Sequence, residues 1–121
     1  MTDSQTIRFL IVDDEQNIRR LCVTVGSALG FECVEAESAE NALINTDSAL
    51  PDIVVTDLKL PGSSGVDLLR EVKSRVPQTE VAIMTGHGSI ESAVDAMKLG
   101  AYDYIEKPFR VEKLRLLLQR M

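Results

Sequence analysis

Short apolar runs alternate with stretches of helical periodicity along the whole 121-residue chain, and that alternation leaves few folds open. Residues 7–12 form an apolar run ending in Asp13-Asp14-Glu15, after which Ile18, Leu21, Cys22, Val25 and Leu29 recur at helical spacing until Gly30. The pattern predicts a strand, an acidic turn and a helix with a glycine just past its end. Residues 31–36 read as a second strand and 39–50 as a second helix closed by Pro51. Residues 53–56 read as a third strand, and 65–76 as a third helix with Val66, Leu69 and Val72 inward, stopped at Pro77. A fourth strand covers 80–84, followed by Thr85-Gly86-His87-Gly88 and a helix with Ile90, Ala93, Val94 and Met97 on one face and Gly100 at its end. Residues 101–105 make a fifth strand; Glu106-Lys107-Pro108-Phe109 breaks it, and Val111, Leu114, Leu117 and Leu118 define a last amphipathic helix.

Five strands alternating with five helices predict an α/β fold, a parallel sheet joined by right-handed crossovers and covered by helices on both faces. The strand runs are nearly continuous in apolar residues, as doubly covered strands are. The count fits the five-stranded, flavodoxin-like doubly wound order 2-1-3-4-5. A chain of this length holds one domain, residues 1–121.

Thirteen basic against nineteen acidic residues give a net charge of −6, and the basic ones are scattered. Nucleic-acid binding by this domain is therefore not expected, because phosphate contacts need a concentrated positive surface. The start, Met1-Thr2-Asp3-Ser4-Gln5, has no basic region, and the apolar run after it is too short for a signal or membrane segment, so a cytoplasmic location without membrane contact is expected. Cys22 and Cys33 lack metal-ligand spacing and read as buried free thiols.

The chemistry collects at strand ends. In the stretch Asp52-Ile53-Val54-Val55-Thr56-Asp57-Leu58-Lys59-Leu60-Pro61, β-branched residues deliver Asp57 to the point where Leu60-Pro61-Gly62 stops the ladder. Strand one ends in Asp13 and Asp14, strand four in Thr85, and Lys107 lies just past strand five. In the order 2-1-3-4-5 these strands are neighbours, so the residues converge on one crevice at the carboxyl edge, where open α/β sheets bind ligands. Carboxylates a few ångströms apart repel by about 4 kcal/mol per close pair at an effective dielectric near 20, so the site calls for a cation. Hard oxygens in this number suit Mg²⁺, with Mn²⁺ as a substitute. Each residue alone has a plainer reading: acids favoured at a helix N-terminus, a turn aspartate, a strand threonine, a solvated lysine. Their joint placement at four strand ends is what those readings do not explain.

Together, Val12-Asp13-Asp14-Glu15, Asp57 with Leu60-Pro61-Gly62-Ser63-Ser64-Gly65, Met84-Thr85-Gly86-His87 and Tyr104-Ile105-Glu106-Lys107-Pro108-Phe109 resemble the receiver domain of two-component response regulators, over residues 8–119. The run from Met84 to Phe109 is most similar to receivers of the nitrogen-regulator (NtrC) class, transcriptional activators that work with the alternative sigma factor (sigma-54). The resemblance implies a CheY-like fold and a phosphoryl-transfer site. Asp57 would be the phosphoacceptor, served by a sensor histidine kinase; Asp14, Asp57 and the Lys59 carbonyl would bind Mg²⁺ directly, and Asp13 through a water. Lys107, expected to precede a cis bond to Pro108, and Thr85 would contact phosphoryl oxygens. Thr85 and Tyr104 would form the switch that alters the surface of helix four, strand five and helix five, with a homodimer on phosphorylation. His87 and Lys59 would modulate the lifetime of the acyl phosphate. Ser63 departs from the family, where a larger apolar residue often follows Pro-Gly. The resemblance further implies an output domain beyond the end of this chain, and no enzyme activity other than self-phosphorylation and autodephosphorylation.

Three other readings compete. A Mg²⁺-dependent phosphohydrolase of the haloacid-dehalogenase kind also uses an aspartyl nucleophile after a strand, but carries a second Asp two residues on, where this chain has Lys59. A pseudo-receiver signalling without phosphate would lack an acid or the lysine, and none is missing. A nucleotide-binding fold of similar topology would need a Gly-rich loop after strand one.

Overall fold

A computed structural model describes residues 6–86 and 90–121. The elements follow in strict alternation: β1 (Arg8–Val12), α1 (Gln16–Ala28), β2 (Glu32–Ala36), α2 (Ala39–Ala49), β3 (Ile53–Asp57), α3 (Gly65–Arg75), β4 (Glu80–Thr85), α4 (Ile90–Lys98), β5 (Asp103–Glu106) and α5 (Val111–Arg120). The strands pair in parallel in the order β2-β1-β3-β4-β5, as predicted. Asp57 and Thr85 are the last residues of β3 and β4, so both chemical side chains sit inside the ladder instead of just after it.

Strand alternation divides the core. Leu10, Val12, Val54, Val81 and Ile83 face one way and pack on Ala39 and Ala42 of α2, Leu68, Leu69 and Val72 of α3, and Ala96 of α4. Phe9, Ile11, Ile53, Val55, Ala82 and Met84 face the other way, against Cys22 and Val25 of α1 and Leu114, Leu117 and Leu118 of α5. The side-chain period of two is what assigns neighbours in sequence to opposite layers. Because β1, β3 and β4 are buried on both faces, they read as unbroken apolar runs.

Helix faces depart from the sequence reading in three places. In α4 Ala93 is fully buried, as read from the sequence, but so is Ala96, whereas Val94 and Met97 are 45% and 39% exposed. Ala96 packs in the layer with Val81 and Ile83, and the larger residues turn outward. Leu68 joins Leu69 and Val72 inside, leaving Val66 half-buried, and Val111 is exposed at the start of α5. Cys22 is buried as expected, but Cys33 is only half-buried; both are free thiols.

Local chemistry explains the helix starts nearest the site. Ser64 and Asp67 form a reciprocal capping box on α3: the Asp67 N–H donates to Ser64 Oγ at 3.1 Å, and the Ser64 N–H to Asp67 Oδ2 at 3.4 Å. The Gly65 N–H donates to the Leu58 carbonyl at 2.7 Å, folding α3 back over the end of β3. Only glycine fits there, since a Cβ at position 65 would lie 2.2 Å from the Asp57 carbonyl oxygen. Gly30, with φ 86°, ends α1 in the left-handed region as its position in the sequence predicts. No helix among the described residues is long and apolar enough to cross a membrane.

Candidate functional site at the carboxyl edge of the sheet

The register places the acids. Ile11 pairs with Val55 across β1 and β3, and continuing both strands by two residues on the same face leads to Asp13 and Asp57. Their carboxylates and that of Asp14 each offer an oxygen, and these oxygens all lie within 4.8 Å of one another. Asp13 is fully buried, Asp57 half-buried and Asp14 exposed, so the cluster runs from the floor of the crevice to its mouth.

Lys107 is the counter-charge. Its Nζ lies 2.7 Å from Asp13 Oδ2, 3.3 Å from Asp57 Oδ2 and 3.6 Å from Glu15 Oε1. The Lys107 N–H donates to the Thr85 carbonyl at 2.6 Å, which pins the segment after β5 to the end of β4, and the Lys107–Pro108 bond is cis as expected. Burial works against the lysine's charge, but the hydrogen bond and charge of Asp13, with the charge of Asp57, outweigh it and raise its pKa. Burial also raises the pKa of Asp57; the charge of Asp13 adds to this, while Lys107 and a hydrogen bond from the Lys59 N–H oppose it. The Cys22 thiol, under the same acids, is pushed up to about 12, chiefly by burial and then by the Asp13 charge.

One ammonium thus faces several carboxylates. That imbalance, and a donor set made wholly of hard oxygens, fit a divalent cation of the Mg²⁺ type held by Asp13, Asp14 and Asp57.

Thr85 lies one residue past the Asp57–Met84 pair, on the strand next to Asp57. It is 1% exposed, and its Oγ1 has no hydrogen-bond partner among the described residues. Such an orphaned buried hydroxyl is costly, which marks it as an atom with a use. Tyr104 pairs with Ile83 and packs half-buried against the α2, α3 and α4 layer, on the sheet face that Thr85 also occupies. Lys59 is exposed at the lip, bridged in antiparallel fashion to Ser64, and Ser63 is exposed between them. His87 lies outside the described residues.

Four contacts were not visible in the sequence. Glu15 reaches Lys107, the Lys59 amide supports Asp57, and the Arg19 guanidinium donates from Nη1 to the Asp13 carbonyl at 2.7 Å and from Nε to Glu35 Oε1 at 3.0 Å. For Arg19 a signal did exist: it stands one helical turn after Glu15, and helical side chains lean back toward the N-terminus, here onto the acidic loop.

Known proteins resemble this chain in sequence and fold. The curated relatives include the regulatory protein AtoC of Escherichia coli, 40% identical over 113 residues, covering 93% of this chain and 24% of that protein. The DNA-binding transcriptional regulator NtrC of Salmonella typhimurium is 34% identical over 110 residues, covering 91% of this chain and 24% of that protein. The chain therefore spans about a quarter of the length of these relatives. Among solved structures, the receiver domain of NtrX from Brucella abortus superposes with a TM-score of 0.88 at 42% identity, covering 93% of this chain and 95% of that one. The family profile described as the response regulator receiver domain matches residues 9–119. Sequence, fold and the acidic edge agree, and the chain belongs to the response regulator receiver domains, with NtrC-like regulators among its relatives.

Proposed function

We propose that this receiver takes a phosphoryl group from the phosphohistidine of a sensor histidine kinase onto Asp57 and controls transcription through the surface of α4, β5 and α5. The observation that carries the reading is the buried Thr85 hydroxyl, unpartnered at the end of β4, the strand next to that of Asp57, and free to turn and donate to a phosphoryl oxygen. An Asp57 carboxylate oxygen attacks phosphorus as the P–N bond to the kinase imidazole breaks, and the imidazole leaves with the bonding pair. A carboxylate needs no general base for this, so the task of the protein is positioning and charge stabilisation. Lys107, already 3.3 Å from Asp57, pairs with a phosphoryl oxygen, and the Lys59 amide holds Asp57 in place. Asp14, Asp57 and the Lys59 carbonyl would hold Mg²⁺ directly and Asp13 through a water, with Mn²⁺ as a substitute. When bound, the cation would offset the carboxylates and the developing charge on the transferred group.

The product adds about −1.5 to −2 charge to the crevice. Thr85 is drawn to it, and Tyr104, on the same sheet face, follows into the space that Thr85 leaves. This would change the face that already exposes Val94 and Met97 on α4 and Leu116 on α5, the surface for a phosphorylation-dependent homodimer. The names of the relatives support transcription as the output, and the resemblance to the NtrC class supports sigma-54 activation in the cytoplasm. Turnover of free phosphate esters is not part of this function, since Lys59 stands where a hydrolytic acid/base would be.

Incubation with acetyl phosphate and Mg²⁺ followed by intact mass should show one added phosphoryl group on the wild type and none on Asp57→Asn. An unmodified wild type, or catalytic release of phosphate from esters, would overturn the reading.

A further inference from the structure

One of the two acids proposed as direct cation ligands is the least supported of the three. Asp14 is exposed, and no donor among the described residues reaches its carboxylate. Its direction therefore depends on the peptide that joins it to Asp13. That peptide is gripped: its carbonyl, the Asp13 oxygen, accepts from Arg19 Nη1 at 2.7 Å. The residue before it is held at two further points, with the Asp13 N–H donating to the Ala36 carbonyl at 3.1 Å and Asp13 Oδ1 accepting from the Glu15 N–H at 2.8 Å.

Arg19 is itself immobilised. Its side chain is 13% exposed, and Nε donates to Glu35 near the end of β2, so two bonds from one planar guanidinium fix its plane. A positive charge beside a cation site works against cation binding. The geometric effect of Arg19 must therefore outweigh its charge if it serves the site.

We propose that Arg19 is a positioning residue that, braced by Glu35, orients the Asp13–Asp14 peptide so that Asp14 is presented to a divalent cation. The inference rests on the cation site of the proposed function. Supporting groups of this kind alter metal affinity by about 10–100-fold when removed.

Calorimetric titration of the full chain with MgCl₂, alongside melting in EDTA, separates positioning from stability. Arg19→Met should weaken Mg²⁺ binding about tenfold even though a repelling charge is removed. Arg19→Lys, which keeps one donor for the Asp13 carbonyl, should recover part of the loss, and Glu35→Gln should weaken binding less than Arg19→Met. A purely structural Arg19 would lower the melting temperature in EDTA while leaving the affinity of Arg19→Met within twofold of wild type, or tighter, and that result overturns the proposal. Should Arg19→Met not fold, unchanged affinity in both Arg19→Lys and Glu35→Gln overturns it equally. A wild type that binds no Mg²⁺ would instead overturn the cation site itself.

Discussion

Replacing Lys107 with Met removes the cation that holds Asp13 and Asp57 together, and the structure sets the size of the effect. At 2.7 and 3.3 Å, and an effective dielectric near 20, the two attractions amount to about 6 and 5 kcal/mol before desolvation is counted. Most of that offsets the cost of burying an ammonium whose side chain is 17% exposed. What the variant forfeits is partnership for the fully buried Asp13, a loss of about 3–5 kcal/mol. For a chain of this size, with about 2 cal/mol/K of unfolding entropy per residue, the melting temperature in EDTA should fall by about 12–20 °C. Saturating Mg²⁺ neutralises the same carboxylates, so the loss should shrink to less than half, and by linkage the variant should bind Mg²⁺ more tightly than wild type. Circular dichroism melts of both proteins, in EDTA and across a Mg²⁺ titration, read both effects. A drop in EDTA worth less than 1 kcal/mol, or the same drop with and without Mg²⁺, would refute the reasoning.

Gly65→Ala should cost about 1–3 kcal/mol in urea unfolding and weaken Mg²⁺ binding as well, because the added Cβ meets the Asp57 backbone at 2.2 Å and no side chain can swing aside. Leu50→Gly should raise the melting temperature by about 2–4 °C, since Leu50 caps α2 at φ 50° with its side chain 56% exposed and the left-handed strain is relieved at little loss of packing. The pKa of Lys107 is raised above 10.5, so its stabilisation is fully present below pH 10.5 and lost as pH rises through the folded value; this alkaline limb should vanish in Lys107→Met. Asp57 is also raised, from 3.8, so its contribution is present below that value and lost as pH rises; in EDTA at pH 7, Asp57→Asn should be at least as stable as wild type by urea titration.

The sheet was legible because β1, β3 and β4 are buried on both faces and leave unbroken apolar runs, bounded by Asp13-Asp14, Pro61 and Gly86. The gathering of Asp13, Asp14, Asp57, Thr85 and Lys107 followed from strand order alone, since a parallel sheet brings strand ends to one edge. The inward face of α4 followed only in part: Ala93 is buried as read, but hydrophobicity ranks Val94 and Met97 above Ala96, and it is Ala96 that the fold buries while the two larger residues stay partly exposed. Cys33 on the edge strand β2 is likewise less covered than its apolar neighbours suggest. Within the site, residue types marked what would converge but not how it is held. The grip of Arg19 on the Asp13 carbonyl and of the Lys59 amide on Asp57 depends on backbone atoms brought together by the fold, and the empty hydroxyl of Thr85 on what its neighbours leave unfilled, none of which side-chain patterns encode.

The phosphoacceptor role of Asp57 is tested most directly by borohydride reduction of protein treated with acetyl phosphate and Mg²⁺, followed by peptide mass mapping. Reduction of an aspartyl phosphate leaves homoserine, so homoserine at position 57 alone, absent when EDTA replaces Mg²⁺, is the expected result. Homoserine at another aspartate, or none at position 57 in protein that has gained a phosphoryl group, would contradict it.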